Sequence, residues 1–229
     1  MNVAVIPARF GSKRIPKKNI KLFCGKPMIA WPIEIALKSK LFDHVIVSTD
    51  CEKIASIANS YGAETPFIRP AKLSNDFATT TEVISHAANW MLDKNWKIFS
   101  ICCIYPTSVF LNVEDLLKGL KIFSTNKWSY VFSVTEFEYP IFRSFKESKN
   151  GGVEMFFPEN FDSRSQDLPI AFHDAAQFYW GKTDAWINKI KIFDKHSFPI
   201  KIPRWRIQDI DTKDDFDRAQ NLFKLISKS

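Results

Sequence analysis

Residues 3–20 read VAVIPARFGSKRIPKKNI, and the two halves of that stretch behave differently. Val3-Ala4-Val5-Ile6 is an unbroken apolar run, too short for a helix and rich in β-branched residues. It reads as a buried strand that Pro7 ends. The remainder carries one glycine and five cations (Arg9, Lys13, Arg14, Lys17 and Lys18), is closed by Asn19, and reads as a loop. A buried strand that empties into such a loop suits a polyphosphate, because backbone N–H groups, the Ser12 hydroxyl and the cations all favour phosphate oxygens. Open α/β sheets bind ligands at the carboxyl ends of their strands, which is where this loop begins. The segment holds neither G-x-x-x-x-G-K-[ST] nor G-x-G-x-x-G. On spacing alone it reads equally as a solvated basic loop or as a Lys/Arg-rich run against nucleic acid.

A chain of 229 residues with 45% hydrophobic and 25% charged residues is expected to be one globular domain, 1–229, with a core that needs no staples. The net charge of +7 points to anionic partners without choosing among them. Cys24, Cys51, Cys102 and Cys103 show neither C-x-x-C nor zinc spacing, so reduced thiols and a cytoplasmic location are expected. The cations follow the first apolar segment instead of preceding it, which is not the pattern of a signal peptide. No apolar run approaches the ~20 residues of a membrane span.

Working outward, Pro27 suits the first turn of a helix over 27–40, with Ile29, Ile33, Ala36 and Leu37 on one face and Pro32 delaying or kinking it. A second buried strand covers 45–48. Asp50 is expected to cap the helix over 52–61, which Gly62 stops. Phe67-Ile68 reads as a short strand. Thr79 or Thr80 is expected to cap a helix over 82–93, 98–104 to form another strand, and Asn112 to cap 113–123. Strand, loop and helix thus alternate four times, which implies an α/β fold with a mostly parallel sheet and helices on both faces.

From Tyr130 the pattern changes. Strands over 130–134 and 141–145, the turn signal Lys149-Asn150-Gly151-Gly152 and a return strand over 153–157 make a hairpin region. It is rich in aromatics (Phe137, Tyr139, Phe142, Phe145, Phe156, Phe157), either a satellite core or a surface that meets a partner. Arg164, Ser165 and Gln166 follow on a polar loop, where Arg164 suits a carboxylate bidentately. By alternation Gln177 and Tyr179 share one strand face. His173 beside Asp174 reads as support or substrate contact in preference to a general base. Thr183 is expected to cap a short helix. Asp209 and Asp211 point the same way in an extended segment, which suits one hard divalent cation such as Mg²⁺. Thr212 and Asp215 supply a capping box for the last helix, 214–226, so neither aspartate is needed there.

The motif A-R-x-G-S-K-R-I-P-x-K-N-I after the first strand resembles the signature of the CMP–sialate synthetase (acylneuraminate cytidylyltransferase) family, and the likeness runs through nearly the whole chain. R-S-Q-D-L-P at 164–169 and H-D-A-x-Q-F-Y-W at 173–180 resemble its pseudaminic acid branch. The resemblance implies a Rossmann-like nucleotidyltransferase fold (glycosyltransferase-A-like) and the reaction CTP + pseudaminic acid → CMP-pseudaminic acid + pyrophosphate. It implies that Ala8, Arg9, Gly11, Ser12, Lys13, Lys18 and Asn19 hold CTP, with Arg69 and Thr80 at the cytosine. Arg9, Lys18, Asp209 and Asp211 would be catalytic, the two aspartates as ligands of Mg²⁺. The sugar would meet Tyr105, Arg164, Ser165, Gln166, His173, Asp174, Gln177 and Tyr179. An insertion at about 137–175 would reach over a partner in a homodimer, and the product would serve surface-glycan or flagellin glycosylation. The chain departs from the family pattern at Phe10, at Ala176 for a frequent glycine, and at Tyr105 for a usual glutamine. The last departure argues against ordinary sialic acid. Other acid sugars (N-acetylneuraminic, legionaminic, 3-deoxy-octulosonic) stay open. A nucleic-acid-binding domain built on residues 13–21 is the alternative of another class, but no RNP1-type module accompanies it.

Overall fold

The computed structural model describes residues 1–226. A six-stranded sheet runs through the middle of the chain. In sequence order its strands are β1 (Asn2–Pro7), β4 (His44–Ser48), β5 (Ser100–Ile104), β6 (Tyr130–Glu136), β9 (Phe172–Lys182) and β10 (Ser197–Lys201). Two small hairpins account for the other strands: β2 (Leu22–Phe23) with β3 (Lys26–Pro27), and β7 (Phe145–Glu147) with β8 (Val153–Met155). The helices are α1 (Ala30–Ser39), α2 (Glu52–Ser60), α3 (Thr80–Asp93), α4 (Val113–Phe123), α5 (Thr183–Ile187) and α6 (Lys213–Ile226).

The order across the sheet is β10-β6-β9-β5-β1-β4. Parallel pairs join β1 to β4 and β5, and β6 to β10, whereas β9 is antiparallel to both its neighbours. Only β9 therefore runs against the other five, and its first residues lie at the edge where they end. That inversion brings Asp174 and Gln177, near the start of a strand, to the edge reached by Pro7 and Ile104.

The central strands β1, β5 and β6 are buried on both faces, and their period of two divides the core. Ala4, Ile6, Val45, Val47, Cys102, Ile104 and Trp180 pack against Ile33, Ile54, Ala58, Leu116 and Phe123 of α1, α2 and α4. Val3, Val5, Ile46, Ile101, Cys103 and Tyr179 face Ile84, Ala87 and Met91 of α3 and Trp186 of α5. Adjacent Cys102 and Cys103 thus point to opposite sides, and burial pushes both thiols well above the usual value. Such thiols are packing groups. A third cluster joins Ile15 of the basic loop to Phe23, Met28, Phe110, Ile210 and Phe216. Ile15 is only 2% exposed, so the basic loop is anchored by an apolar side chain to the segment that precedes α6.

Several local expectations are corrected. Pro27 lies in β3, and α1 begins only at Ala30, with Pro32 in its first turn, where a missing N–H costs nothing. Leu37 is largely exposed. Phe67-Ile68 contributes a single bridge, Ile68 to Thr49, because Pro66 and Pro70 leave little chain for a ladder. The expected strand over 141–145 is a 3₁₀ turn, Ile141–Arg143, with β7 starting at Phe145. Thr183 does not cap α5; the N-cap residue is Lys182, without a side-chain bond. Asp50 does not cap α2 either. Of the two candidates Thr79 caps α3, with Glu82 completing a capping box, and the Thr212–Asp215 box and the Asn112 cap form as expected.

Candidate active site

A cleft of about 560 Å³ opens at the carboxyl ends of β1 and β5. The basic loop forms one wall, with Arg9, Ser12, Lys13, Arg14, Lys18 and Asn19 lining it. Arg69 and Thr80 stand on a second wall, Tyr105 and Thr107 follow β5, and Asp211 closes the side next to α6. Ala8 is buried beneath the loop, where its N–H donates to Ser48 O (2.9 Å). Gly11 is exposed and lies outside the lining. The left-handed residue of the loop is Lys17 (φ 55°), not the glycine.

The loop is fixed from three directions. Asn19 Nδ2 donates to Arg9 O (2.8 Å), and Asp50 Oδ1 accepts from Phe10 N (2.9 Å). Asp50, read from sequence as a helix cap, instead holds loop backbone, because β4 delivers it beside the end of β1. The third anchor is Ile15.

Each basic-loop cation that lines the cleft is paired with a carboxylate. Asp76 bridges Arg9 (2.7 Å) and Lys13 (2.5 Å), and Asp211 bridges Arg14 (2.8 Å) and Lys18 (3.0 Å). Lys18 also donates to Ile210 O (2.7 Å). Hydrogen bonds from Lys13 and then Arg9 hold the Asp76 carboxyl below its usual range. Sequence reasoning missed Asp76 and left Arg14 without a role. An aspartate in a polar loop carries no spacing signal, and only the fold brings it to the basic loop. The pairs of Arg9, Lys13 and Arg14 are partly or largely exposed, so their net worth in water is small, whereas Lys18 and Asp211 are mostly buried; an anion with more charge can displace the exposed carboxylate contacts.

Arg69 is 3% exposed, and its Nε donates to Ser74 Oγ (3.1 Å). Burial lowers its pKa, with Asp50 opposing and Arg9 assisting that shift. A buried guanidinium with free donors is suited to a ring edge that accepts. The Thr80 hydroxyl beside it is 2.8 Å from the Tyr105 hydroxyl, and burial pushes the Tyr105 phenol up to about 12.

The residues expected to meet a sugar are dispersed. Tyr105 lines the cleft. Tyr179 is buried and donates to Asp174 Oδ2, while Asp174 borders a separate cavity of about 440 Å³ with His173, Phe132 and Phe193. His173 is exposed, with its ring edge-on to Phe137 (4.8 Å). Gln177 and Tyr179 serve different neighbours, since Gln177 Nε2 donates to Arg206 O (2.9 Å). The reason is the irregularity of β9: Ala176 has φ 49° and the pairing with β6 shifts between Phe132 and Val134. Arg206 is fixed in turn by its ion pair with buried Asp115. Arg164 begins the exposed 3₁₀ turn Ser165–Asp167, and Arg164, Ser165 and Gln166 stay outside the cleft.

Among the described residues no group of three His, Cys, Asp or Glu side chains gathers around one point. Asp209 and Asp211 flank buried Ile210, Asp211 lining the cleft and Asp209 a small adjoining recess. Burial, then Asp211, raises the Asp209 carboxyl. Gln177 Oε1 is buried and has no hydrogen-bond partner among the described residues, and it borders the same small recess as Asp209. Mg²⁺ takes one or two carboxylates, keeps waters and completes its shell with substrate phosphates, so this oxygen set fits it.

Comparison with known proteins follows the same lines. The family profile described as Cytidylyltransferase matches residues 3–224. The chain is 43% identical over 228 residues to a pseudaminic acid cytidylyltransferase of Campylobacter jejuni, covering 100% of this chain and 98% of that one. It is 30% identical to the N-acylneuraminate cytidylyltransferase of Escherichia coli, over 95% of this chain and 51% of that protein. Among solved structures it resembles CMP:2-keto-3-deoxy-manno-octonic acid synthetase complexed with CTP, with TM-score 0.73, 15% identity and coverage of 98% and 99%. That last likeness concerns the fold.

Proposed function

Because this chain belongs to the cytidylyltransferase family, we propose that it transfers CMP from CTP to pseudaminic acid, releasing pyrophosphate. The observation that carries the reading is the cleft itself: four cations from one loop beside a buried Arg69 and the Thr80 hydroxyl. The anomeric hydroxyl oxygen attacks the α-phosphorus, the bond to the bridging oxygen breaks, its electron pair leaves with pyrophosphate, and the hydroxyl proton is lost to solvent. No protein nucleophile is needed, so the chain works by placing reactants and stabilising charge.

In this reading Arg9 and Lys18 face the α-phosphate and leaving group, and Ser12 and Lys13 hold the outer phosphates. Asn19 keeps the loop folded around them. As the triphosphate enters, Arg9 and Lys13 exchange Asp76 for phosphate oxygens, and Lys18 and Arg14 loosen from Asp211. Asp209 and Asp211 would hold Mg²⁺, with Gln177 Oε1 nearby. When bound, that cation neutralises phosphate oxygens and lowers the pKa of a hydroxyl beside it. Arg69 donates to the acceptors of cytosine.

The sugar half is proposed to be completed by a second copy of the chain. Tyr139, Phe145, Val153, Phe156, Phe161 and Ile170 are all exposed in the segment around β7 and β8, more apolar surface than a solvated hairpin needs. Arg164, Ser165 and Gln166 lie on the same segment and would approach the partner's cleft. Among the described residues no helix is long and apolar enough to cross a membrane. We place the enzyme in the cytoplasm, in the supply of activated sugar for surface glycans or flagellin.

The test is pyrophosphate release from CTP and Mg²⁺ with pseudaminic acid, N-acetylneuraminic acid and 3-deoxy-octulosonate offered separately. Release with pseudaminic acid alone is expected. Preference for N-acetylneuraminic acid would overturn the substrate, and no release from folded protein would overturn the activity.

A further inference from the structure

The peptide unit that joins Arg9 to Phe10 is gripped at both of its polar ends. Its carbonyl oxygen, Arg9 O, accepts from Asn19 Nδ2 (2.8 Å), and its N–H, on Phe10, donates to Asp50 Oδ1 (2.9 Å). A peptide unit is a rigid plane whose two polar groups point to opposite sides, so a partner on each side leaves it one orientation. Neither grip comes from the turns of the loop itself. Asn19 is 6% exposed, and its own carbonyl accepts from Ile29 N (2.9 Å) just ahead of α1. Asp50 follows β4, whose end is tied to both walls of the cleft: Ser48 O accepts from Ala8 N (2.9 Å) and Thr49 O from Arg69 N (2.7 Å). The gripped plane is thus referred to the sheet. The chain then turns at once, with Ser12 N donating to Phe10 O (2.8 Å), and Arg9 and Ser12 on either side of the plane both line the cleft.

We propose that Asp50 and Asn19 are positioning residues that set the phosphate-binding shape of the basic loop by clamping the Arg9–Phe10 peptide. With either grip released the plane is free to turn over, and Arg9 and Ser12 no longer share one arrangement for phosphate oxygens. A carboxylate beside an anion site is otherwise a liability, since its charge repels phosphate. Asp50 is there as an acceptor for a backbone N–H. The inference rests on the nucleotide reading above and deepens it: Asn19 and Asp50 act on the triphosphate through Arg9 and Ser12.

Calorimetric binding of CTP tests the clamp, with thermal melting as the check on folding and exchange of the Phe10 amide as the direct readout. Asp50→Ala is expected to weaken CTP binding about tenfold, the worth of one hydrogen bond to a charged acceptor. Asp50→Asn keeps an acceptor at Oδ1 and drops the charge, so affinity returns to within about threefold of wild type. Asn19→Ala is expected to match Asp50→Ala. The double variant should lose about as much as either alone, not the roughly hundredfold of independent sites, because one grip does not orient the plane. Asn19→Ala should also speed exchange of the Phe10 amide, which Asn19 does not touch, while the amides of β1 stay protected. A merely structural role would loosen both together. That exchange measurement carries the test if Asp50→Ala does not fold. Losses that multiply in the double variant, or folded Asp50→Asn as weak as Asp50→Ala, would overturn the inference alone. Wild type that binds no CTP would remove the nucleotide reading and this inference with it.

Discussion

The nucleotide end and the sugar end of the cleft are finished to different degrees. At the nucleotide end, buried Ile15, Asn19 and Arg69 lock the walls, and every basic-loop cation lining the cleft has a carboxylate across from it. At the other end, the segment between β6 and β9 holds hairpin strands of three residues each, with Tyr139 76% and Phe161 68% exposed. Its polar turn at 164–166 reaches no part of this chain's own cleft. On the proposed reading one chain preorganises the triphosphate site alone, and the apolar, thinly tethered segment is the part that a second copy would complete.

The sharpest way to break this contrast is to remove a cation. Arg9→Ala or Lys18→Ala is expected to lower kcat/KM in pyrophosphate release by about 10²–10³, the range for loss of one preorganised charge-stabilising donor. A loss below tenfold would mean that the nucleotide end is not built as described. Next in size, Phe145→Ser with Phe156→Ser is expected to shift sedimentation toward monomer. It should also raise KM for the sugar about tenfold and leave KM for CTP near wild type, since one or two buried aromatics anchor such interfaces.

A smaller effect tests the carboxylates that pair with the cleft's cations. Asp76→Asn removes the competitor for Arg9 and Lys13, so KM for CTP is expected to fall a few-fold, about what an exposed ion pair is worth. A rise in KM would show that Asp76 assists the nucleotide. The smallest effect lies in the helix caps, away from both ends. Bonds from Thr79 hold Glu82, and bonds from Thr212 hold Asp215, below the usual carboxylate value. Depressed carboxylates stabilise the fold above their unfolded pKa, about 4. That contribution is lost as pH falls through the folded values. Melting of Glu82→Gln and Asp215→Asn against pH should therefore show a flatter acid limb than wild type and parallel curves near neutrality.

What was legible in the sequence follows the same division. Val3–Ile6 and the cysteine-bearing run before Tyr105 are recognisable strands because two-sided burial demands unbroken apolar runs. Thr79 and Asn112 are recognisable caps because their partners are local. The basic loop declared itself through charge density beside a strand end. The reversed direction of β9 has no local signal, since its residues would look the same pointing either way. Asp50 and Asp76 act on atoms brought near only by the sheet. Asp50 was therefore mistaken for a cap and Asp76 was passed over. Alternation puts Gln177 and Tyr179 on one face but cannot show that Tyr179 is buried and bonded to Asp174, which the irregular start of β9 brings beside it. Pro27 was placed in a helix because a two-residue hairpin is too short to show a period.

Mixing two inactive proteins tests the central contrast most directly. Arg9→Ala damages the cleft and Arg164→Ala damages the segment proposed to reach across. If each site joins the cleft of one chain to the segment of another, a mixed dimer contains one intact site. Co-refolded or co-expressed variants should then recover about one quarter of wild-type pyrophosphate release, since half of randomly paired dimers are mixed and each has one of two sites whole. Activity no greater than the sum of the two separate variants would contradict the account and place Arg164 at its own chain's cleft.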